Sequence, residues 1–231
     1  MYDAKFQRVE EKYLLTKEEK EKFLKMTKKH LEKDKYFYSE IHNIYFDTRN
    51  NDLIINSLEK PVFKDKFRIR SYNKPTLEDD IFFEMKTKYK GIVGKRRVKL
   101  KLKDFNAYLN NKYFLDTQIF KELDYYFKYY DLVPAIYIAY DRNSYQGIEN
   151  KDLRITFDSN LRSRRKDLEF TKNTKLVSYF KEDYYIMEIK TNYTMPLWLV
   201  KTISTLKLKP VSFSKYGKIY EKEKKEMLTY A

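Results

Sequence analysis

The chain contains no cysteine among its 231 residues. That absence excludes disulfide bonds, thiolate nucleophiles and zinc sites built on cysteine sulfur. Only two histidines occur, His30 and His42, so a histidine relay is a poor candidate for catalysis. The four glycines form no G-x-x-x-x-G-K-[ST] pattern, which excludes a P-loop. Any phosphate that this chain binds must therefore be held by side chains.

Long apolar runs are also missing. No stretch approaches the roughly 18 apolar residues that a membrane-spanning helix needs, and MYDAKFQRVEEKY at the N-terminus has no apolar segment of a signal peptide. We therefore expect a cytoplasmic protein, and any membrane partner is expected to be a separate chain. No repeat, linker or low-complexity segment interrupts the sequence, so we expect one domain over residues 1–231.

Positive charge is abundant, with a formal net charge of +15 and a pI of about 9.5. This excess indicates an anionic partner: nucleic acid, a phosphorylated small molecule, polyphosphate or an anionic membrane surface. A lysine-rich protein without any such partner explains the composition alone equally well. The positions of the charges must decide between these interpretations.

Alternation of apolar and polar residues predicts eight strands, and helical spacing predicts four helices. The strands are expected at 6–15, 40–48, 63–72, 80–88, 94–102, 134–145, 152–158 and 183–191. The helices are expected at about 17–33, 116–130 and 196–206, with a charged C-terminal helix from about 214. Thr16 and Glu19 have the spacing of a capping box for the first helix. We predict an α+β, mainly β fold: an antiparallel eight-stranded closed tunnel barrel with flanking helices, whose closure removes the sheet edges.

Several strands carry one apolar face and one face rich in cations. Arg68 and Arg70 share a face, for example, while Phe67 and Ile69 share the opposite one. For any single strand, the pattern is explained by an apolar face that packs on helices and a charged face that is exposed to water. The repetition of the pattern favours a closed sheet whose interior is a cationic tunnel. Arginine forks and lysine ammonium groups suit phosphate, and the interspersed carboxylates Glu10, Glu84 and Glu188 suit a hard divalent cation that bridges phosphate oxygens.

The motifs together resemble the VTC domain, the polyphosphate polymerase domain of the vacuolar transporter chaperone complex and its bacterial relatives. That family belongs to the triphosphate tunnel metalloenzyme superfamily. The resemblance covers about residues 5–219 and rests on RVEEKYLL, IYFDT, FRIRSY, FFEMKTK, GKRRVKL, YDRNSY, LRITFD, IMEIKT, Pro196 with Trp198, and SFSKYG. It implies transfer of the γ-phosphoryl group of ATP to a growing inorganic polyphosphate chain, with Mn²⁺ or Mg²⁺ as the divalent cation.

The resemblance also implies roles for individual residues. Those expected to act directly on the reacting phosphates are Lys12, Arg68, Arg70, Lys86 and Lys215. Those expected to bind substrate phosphate are Lys95, Arg97, Arg142, Arg154, Lys190 and Ser214. Glu188 is the main metal candidate and Glu10 and Glu84 are weaker ones, because Arg8 stands where the superfamily's E-x-E-x-K pattern has its first glutamate. Arg142 is in step with Ile136 and Ile138, so we expect a bulge or a strand end to turn it toward the other cations.

Other functions fit parts of the same pattern. A triphosphatase or polyphosphatase of the same fold would pass the phosphoryl group to water, and a non-catalytic module would only bind polyphosphate. Ser214 would cap the last helix under a purely structural interpretation. A nucleic-acid binder would need aromatic side chains on the charged faces. Most aromatic residues fall on the apolar faces, with Tyr72 an exception, so a nucleic-acid partner is not expected.

Overall fold

The computed structural model describes residues 8–90, 92–180, 183–192 and 194–229. Its strands are β1 (Arg8–Leu15), β2 (Leu31–Asp47), β3 (Phe63–Tyr72), β4 (Asp80–Tyr89), β5 (Ile92–Lys101), β6 (Val133–Gly147), β7 (Arg154–Arg164), β8 (Val177–Ser178) and β9 (Tyr185–Asn192). Its helices are α1 (Lys17–Thr27), α2 (Asp52–Leu58), α3 (Leu102–Leu109), α4 (Gln118–Tyr129), α5 (Leu197–Thr205) and α6 (Lys215–Thr229). Phe6 and Gln7, where the first strand was predicted to begin, lie outside the described residues, as does the side chain of Arg8.

The strands pair in the order β1-β9-β7-β6-β2-β3-β4-β5, and β8 pairs with β7. Closure would require β1 to pair with β5, and no such pair occurs in the described part of the chain. The second edge of β1 is occupied instead by a later segment. The Val211 amide donates to the Lys12 carbonyl at 2.7 Å, and Tyr13 and Pro210 form an isolated bridge. The α+β, mostly antiparallel fold is confirmed, whereas the closed barrel is not confirmed.

The chain divides into two compact units. Unit 1 consists of Met1–Ser39, Tyr140–Leu161 and Phe180–Phe213, and unit 2 of Glu40–Ala139, Arg162–Tyr179 and Ser214–Ala231. Each unit has its own apolar core. The prediction of a single domain over residues 1–231 stays a prediction.

Unit 1 packs α1 and α5 on the apolar residues of β1, β7 and β9. Thr16 caps α1 as predicted: its hydroxyl accepts from the Glu19 amide at 3.3 Å, and Glu19 accepts from the Thr16 amide at 2.8 Å. The prediction that this helix extends to residue 33 is wrong, because α1 ends at Thr27 and β2 begins at Leu31. Leu31 is still buried in the core, as its place in the apolar stripe predicted. Its backbone, however, is in a strand and not in a helix.

The core of unit 2 is rich in aromatic rings from β4, α3 and α4. Phe83 lies in contact with Phe105, Phe120 and Phe127, with ring centroids between 5.3 and 6.4 Å apart. Such edge-to-face pairs stabilise a core beyond their area alone. Because α3 follows β5 at once, the fifth strand ends at Lys101 instead of residue 102.

Helix α2 was not predicted, and a buried carboxylate accounts for its beginning. Asp47 accepts from the backbone amides of Leu53 and Ile54 at 2.9 and 3.0 Å, which satisfies amides that a helix N-terminus leaves without partners. None of the described helices is long and apolar enough to cross a membrane.

Candidate functional site

The charged face of unit 2 is a grid of paired residues on β2, β3, β4 and β5. The strand register aligns three rows across this face, which we call the cationic rows. The first row is Lys66, Lys86 and Lys95; the second is Tyr45, Arg68, Glu84 and Arg97; the third is Asn43, Arg70, Phe82 and Lys99. Neighbouring strands lie about 4.8 Å apart, and residues two apart on a strand share a face. The strand phases therefore bring five predicted cations together: Arg68, Arg70, Lys86, Lys95 and Arg97.

Glu84 occupies the middle of the second row and is only 2% exposed. Arg68 contacts one of its carboxylate oxygens, Oε2, through Nε and Nη2, both at 2.8 Å. The other oxygen, Oε1, accepts from Lys95 Nζ at 2.8 Å and from Arg97 Nε. Burial alone would raise the pKa of Glu84. The charges of Arg68 and Arg70 and the hydrogen bond from Lys95 together outweigh burial, so the pKa is lowered. Glu84 is thus an ionised anchor that holds three cations in place, and its role as a weaker metal candidate stays a prediction.

Tyr45 and Asn43 orient the two arginines of β3. Arg70 is 8% exposed and donates from Nε to Asn43 Oδ1 at 3.0 Å. Arg68 donates from Nη1 to the Tyr45 hydroxyl at 3.1 Å. Burial raises the pKa of Tyr45, but the charges of Arg68 and Arg70 outweigh it and lower the pKa to about 8. The arginine pair therefore lies in a fixed position on the sheet.

The start of α6 contributes Ser214 and Lys215 to unit 2. The Ser214 hydroxyl accepts from Lys66 Nζ at 2.8 Å and from the Gly217 amide at 3.2 Å. The second bond is the helix cap that a purely structural interpretation predicts, and the first ties the same serine to the cationic rows. Lys215 also lies near this group, because its charge contributes to lowering the pKa of Tyr45.

In unit 1, the register of β1, β9 and β7 aligns two further rows. One contains Glu10, Lys190 and Arg154, and the other Lys12, Glu188 and Thr156. Glu188 Oε1 lies 2.9 Å from Lys190 Nζ, and Lys12 Nζ lies 3.5 Å from Glu10 Oε1. Lys12 also donates to the Phe213 carbonyl at 3.2 Å. Burial raises the pKa of Glu188, yet the charges of Lys190 and Lys12 hold it well below its ordinary value.

Arg142 joins this group through Asp158 and Glu188. It donates to Asp158 from Nε at 2.6 Å and from Nη2 at 2.8 Å, and Nη2 lies 3.7 Å from Glu188 Oε2. Ile136 and Ile138, which share the strand phase of Arg142, are fully buried. The expectation of a bulge or a strand end at Arg142 therefore stays a prediction.

Arg154 is the most exposed predicted cation of unit 1. Its side chain is 48% exposed, and Nη2 lies 3.0 Å from Asp34 Oδ2. The Asp34 side chain is more covered, at 16% exposed. The solvent-facing partner is therefore Arg154, whose guanidinium is accessible to a further anion.

Glu10 and Glu188 are the residues of unit 1 that fit a divalent cation. Their carboxylates are within hydrogen-bonding reach of each other, and Lys190 Nζ, 2.9 Å from Glu188 and 3.9 Å from Glu10, now neutralises both. Within the described residues no cluster of three or more His, Cys, Asp or Glu side chains could hold a metal. Two carboxylates nevertheless suffice for Mg²⁺ when substrate phosphates complete its shell.

Sequence reasoning missed four residues of these groups: Asn43, Tyr45, Lys66 and Asp158. Lys66 has the same phase as Arg68 and Arg70, and Asp158 the same phase as Arg154. Strand phase alone could therefore have found both. Asn43 and Tyr45 carry no charge, so a search for rows of cations passes over them.

The chain matches the VTC domain family over residues 7–223. It belongs to the VTC domain family. The predicted family is thereby confirmed over nearly the whole chain, including every residue of both site groups. No curated protein matches the chain by sequence.

Solved structures show that this VTC domain has the fold of proteins provisionally described as adenylate cyclases. One from Bacillus halodurans shares 15% identity at a TM-score of 0.55, over 90% of this chain and 93% of that one. Another from Vibrio parahaemolyticus shares 12% identity at a TM-score of 0.52, over 94% of this chain and 99% of that one. Identities this low establish a common fold, mostly antiparallel sheet with flanking helices.

Proposed function

We propose that this VTC domain is a polyphosphate polymerase that transfers the γ-phosphoryl group of ATP to a growing inorganic polyphosphate chain. The observation that carries the proposal is the cationic rows of unit 2. They present arginine and lysine side chains in register and fix three of them around one buried glutamate. Together with membership of the VTC family, this grid supports binding of a triphosphate.

Phosphoryl transfer depends on positioning and charge neutralisation more than on a protein nucleophile. In the proposed reaction, a terminal oxygen of the acceptor phosphate forms a bond to the γ-phosphorus while the bond to the oxygen of ADP breaks. The attacking oxygen is already an anion, so no general base has to remove a proton. This agrees with a site that is made of cations and contains no histidine relay.

Arg68 and Arg70 act by binding non-bridging phosphate oxygens, for which the guanidinium fork is suited. Lys86 and Lys95 contribute point charges, and Arg97 offsets the charge that spreads over the transferred phosphoryl group. Glu84, Asn43 and Tyr45 hold these cations before the substrate arrives. Preorganised charges of this kind need no reorganisation during the reaction.

The cations of unit 1 are proposed to bind phosphate as well. Lys12 and Arg142 are held near Glu188, and Arg154 and Lys190 lie in register beside them. Lys12 is proposed to bind the acceptor chain. Separately, Lys215 is proposed to bind the transferred phosphoryl group beside the cationic rows of unit 2. Glu188 and Glu10 would hold a divalent cation, which supplies further neutralisation of phosphate charge when it is bound.

The test incubates purified protein with ATP and Mn²⁺ and measures ADP, inorganic phosphate and polyphosphate separately. The proposal predicts polyphosphate of increasing length with one ADP per residue added. Inorganic phosphate without chain growth would identify a triphosphatase instead. Unchanged ATP with no polymer, in a protein that still binds polyphosphate, would identify a binding module. Glu188→Gln should reduce chain growth and weaken binding of Mn²⁺ measured directly on the protein.

A further inference from the structure

An aromatic pair lies at one end of the cationic rows of unit 2. Phe82 belongs to the third row, and Tyr72 follows Arg70 by two residues on the same face of β3. Their ring centroids are 5.7 Å apart in an edge-to-face arrangement. Tyr72 is 45% exposed.

Arginines tie this pair to the proposed phosphate site. The guanidinium carbon of Arg97 lies 4.0 Å from the centre of the Phe82 ring, within the range of a cation–π contact. Burial raises the pKa of Tyr72, but hydrogen bonding to Arg97 and the charge of Arg70 outweigh it and lower the pKa. The Tyr72 hydroxyl thus faces the arginines, while much of its ring is open to solvent.

The dimensions suit a nucleotide. A strand rises about 3.3 Å per residue, so Arg70 and Tyr72 follow Arg68 by roughly 7 and 13 Å along the face. This spacing is comparable to that of the phosphates, the ribose and the base in an extended nucleoside triphosphate. A triphosphate bound at Lys86, Arg68 and Arg70 would therefore place its nucleoside beside Tyr72.

We propose that the exposed ring of Tyr72, backed by Phe82, is a stacking subsite for the base of a nucleoside triphosphate. This inference rests on the proposed function and deepens it, because it assigns the residues that contact the base of the donor nucleotide. Stacking accepts every base, because each has a π-face. The subsite therefore selects nucleotides over inorganic tripolyphosphate and discriminates weakly among bases.

The experiment compares the binding of ATP and inorganic tripolyphosphate by calorimetry at one salt concentration. Loss of one base–aromatic stack weakens binding by about fivefold or more. Tyr72→Ala should therefore lose at least about fivefold in ATP affinity and none in tripolyphosphate affinity. Tyr72→Leu, which keeps Phe82 covered, should behave in the same way, and Tyr72→Phe should bind both ligands as the wild type does. The matched control is Tyr89→Ala, at a tyrosine of β4 that is 49% exposed and lies outside the rows.

The outcomes separate the inference from the proposed function. If Tyr72→Ala binds ATP as the wild type does, the stacking subsite is wrong while triphosphate binding stands. Equal losses for ATP and tripolyphosphate would mean that Tyr72 only positions Arg70 and Arg97, which also overturns the subsite. If the wild type binds neither ligand, the proposed function fails and the subsite fails with it.

Discussion

Arg142 and Asp158 form a two-pronged ion pair in unit 1, with both nitrogen–oxygen distances below 3 Å. Asp158 is 1% exposed, and burial without a partner would be costly for either charge. The pair holds Arg142 3.7 Å from Glu188. Asp158 thus positions Arg142, which is proposed to bind phosphate.

Replacing this aspartate tests the pair. Asp158→Asn leaves the Arg142 guanidinium with Glu188, 3.7 Å away, in place of a two-pronged partner. We therefore expect the free energy of unfolding to fall by about 3 kcal/mol. Urea denaturation measures it. The control Asp80→Asn removes an exposed carboxylate that pairs with Lys99 and Lys101, and it should change stability far less. Equal losses of unfolding free energy in the two variants would show that the buried Arg142–Asp158 pair stabilises the fold no more than an exposed pair does.

Glu84 makes stability depend on pH. Its pKa in the folded protein is lowered, so its contribution is present above the unfolded-state pKa of about 4.3 and is lost as pH falls toward the folded value. Glu84→Gln leaves three cations without their anion and should reduce stability by about 3 kcal/mol at neutral pH. Chemical denaturation at several pH values should show this difference shrinking below about pH 4. A difference that stays constant down to about pH 3 would contradict the assigned ionisation.

The phase of the charged strands could be predicted from sequence, and their pairing partners could not. Alternation identified Arg68, Arg70, Lys86, Lys95 and Arg97 as members of charged faces, and the register of β3, β4 and β5 places them in neighbouring rows. Alternation contains no information on which strands become neighbours. The isolated bridge between Tyr13 and Pro210, which takes up an edge that closure of the barrel needs, therefore could not be foreseen.

Short helices and uncharged site residues were missed for other physical reasons. Helix α2 has seven residues, too few for apolar periodicity to be visible, and its start depends on Asp47 accepting backbone amides. Tyr45 appears in the sequence as an ordinary strand aromatic. Only the folded structure brings Arg68 to its hydroxyl.

Tyr45 should make triphosphate binding sensitive to alkaline pH. Its pKa is lowered to about 8, so above that value a phenolate beside Arg68 adds negative charge where phosphate is proposed to bind. We expect tripolyphosphate affinity to fall as pH rises from about 7 to 9. Tyr45→Phe should retain its affinity over that range, as measured by calorimetry. A wild-type profile that matches Tyr45→Phe would contradict this role, and Tyr72→Phe controls for the other lowered phenol of unit 2.

Arg70→Lys tests whether the guanidinium fork, and not charge alone, binds the substrate. A lysine keeps the positive charge but loses the planar pair of donors. Hydrogen bonds to charged groups contribute about 1.5–3 kcal/mol, so tripolyphosphate affinity should fall at least about tenfold. Arg96→Lys is the matched control, because Arg96 pairs with Glu122 on α4 outside the cationic rows. Unchanged affinity in Arg70→Lys would show that charge alone is enough.

The central claim is that the cationic rows of unit 2 bind a triphosphate, and a crystal structure of the protein with tripolyphosphate tests it most directly. The account predicts phosphate density within hydrogen-bonding distance of Arg68 and Arg70, with Lys86 facing the same anion. Phosphate bound elsewhere, with these side chains unchanged around Glu84, would contradict it.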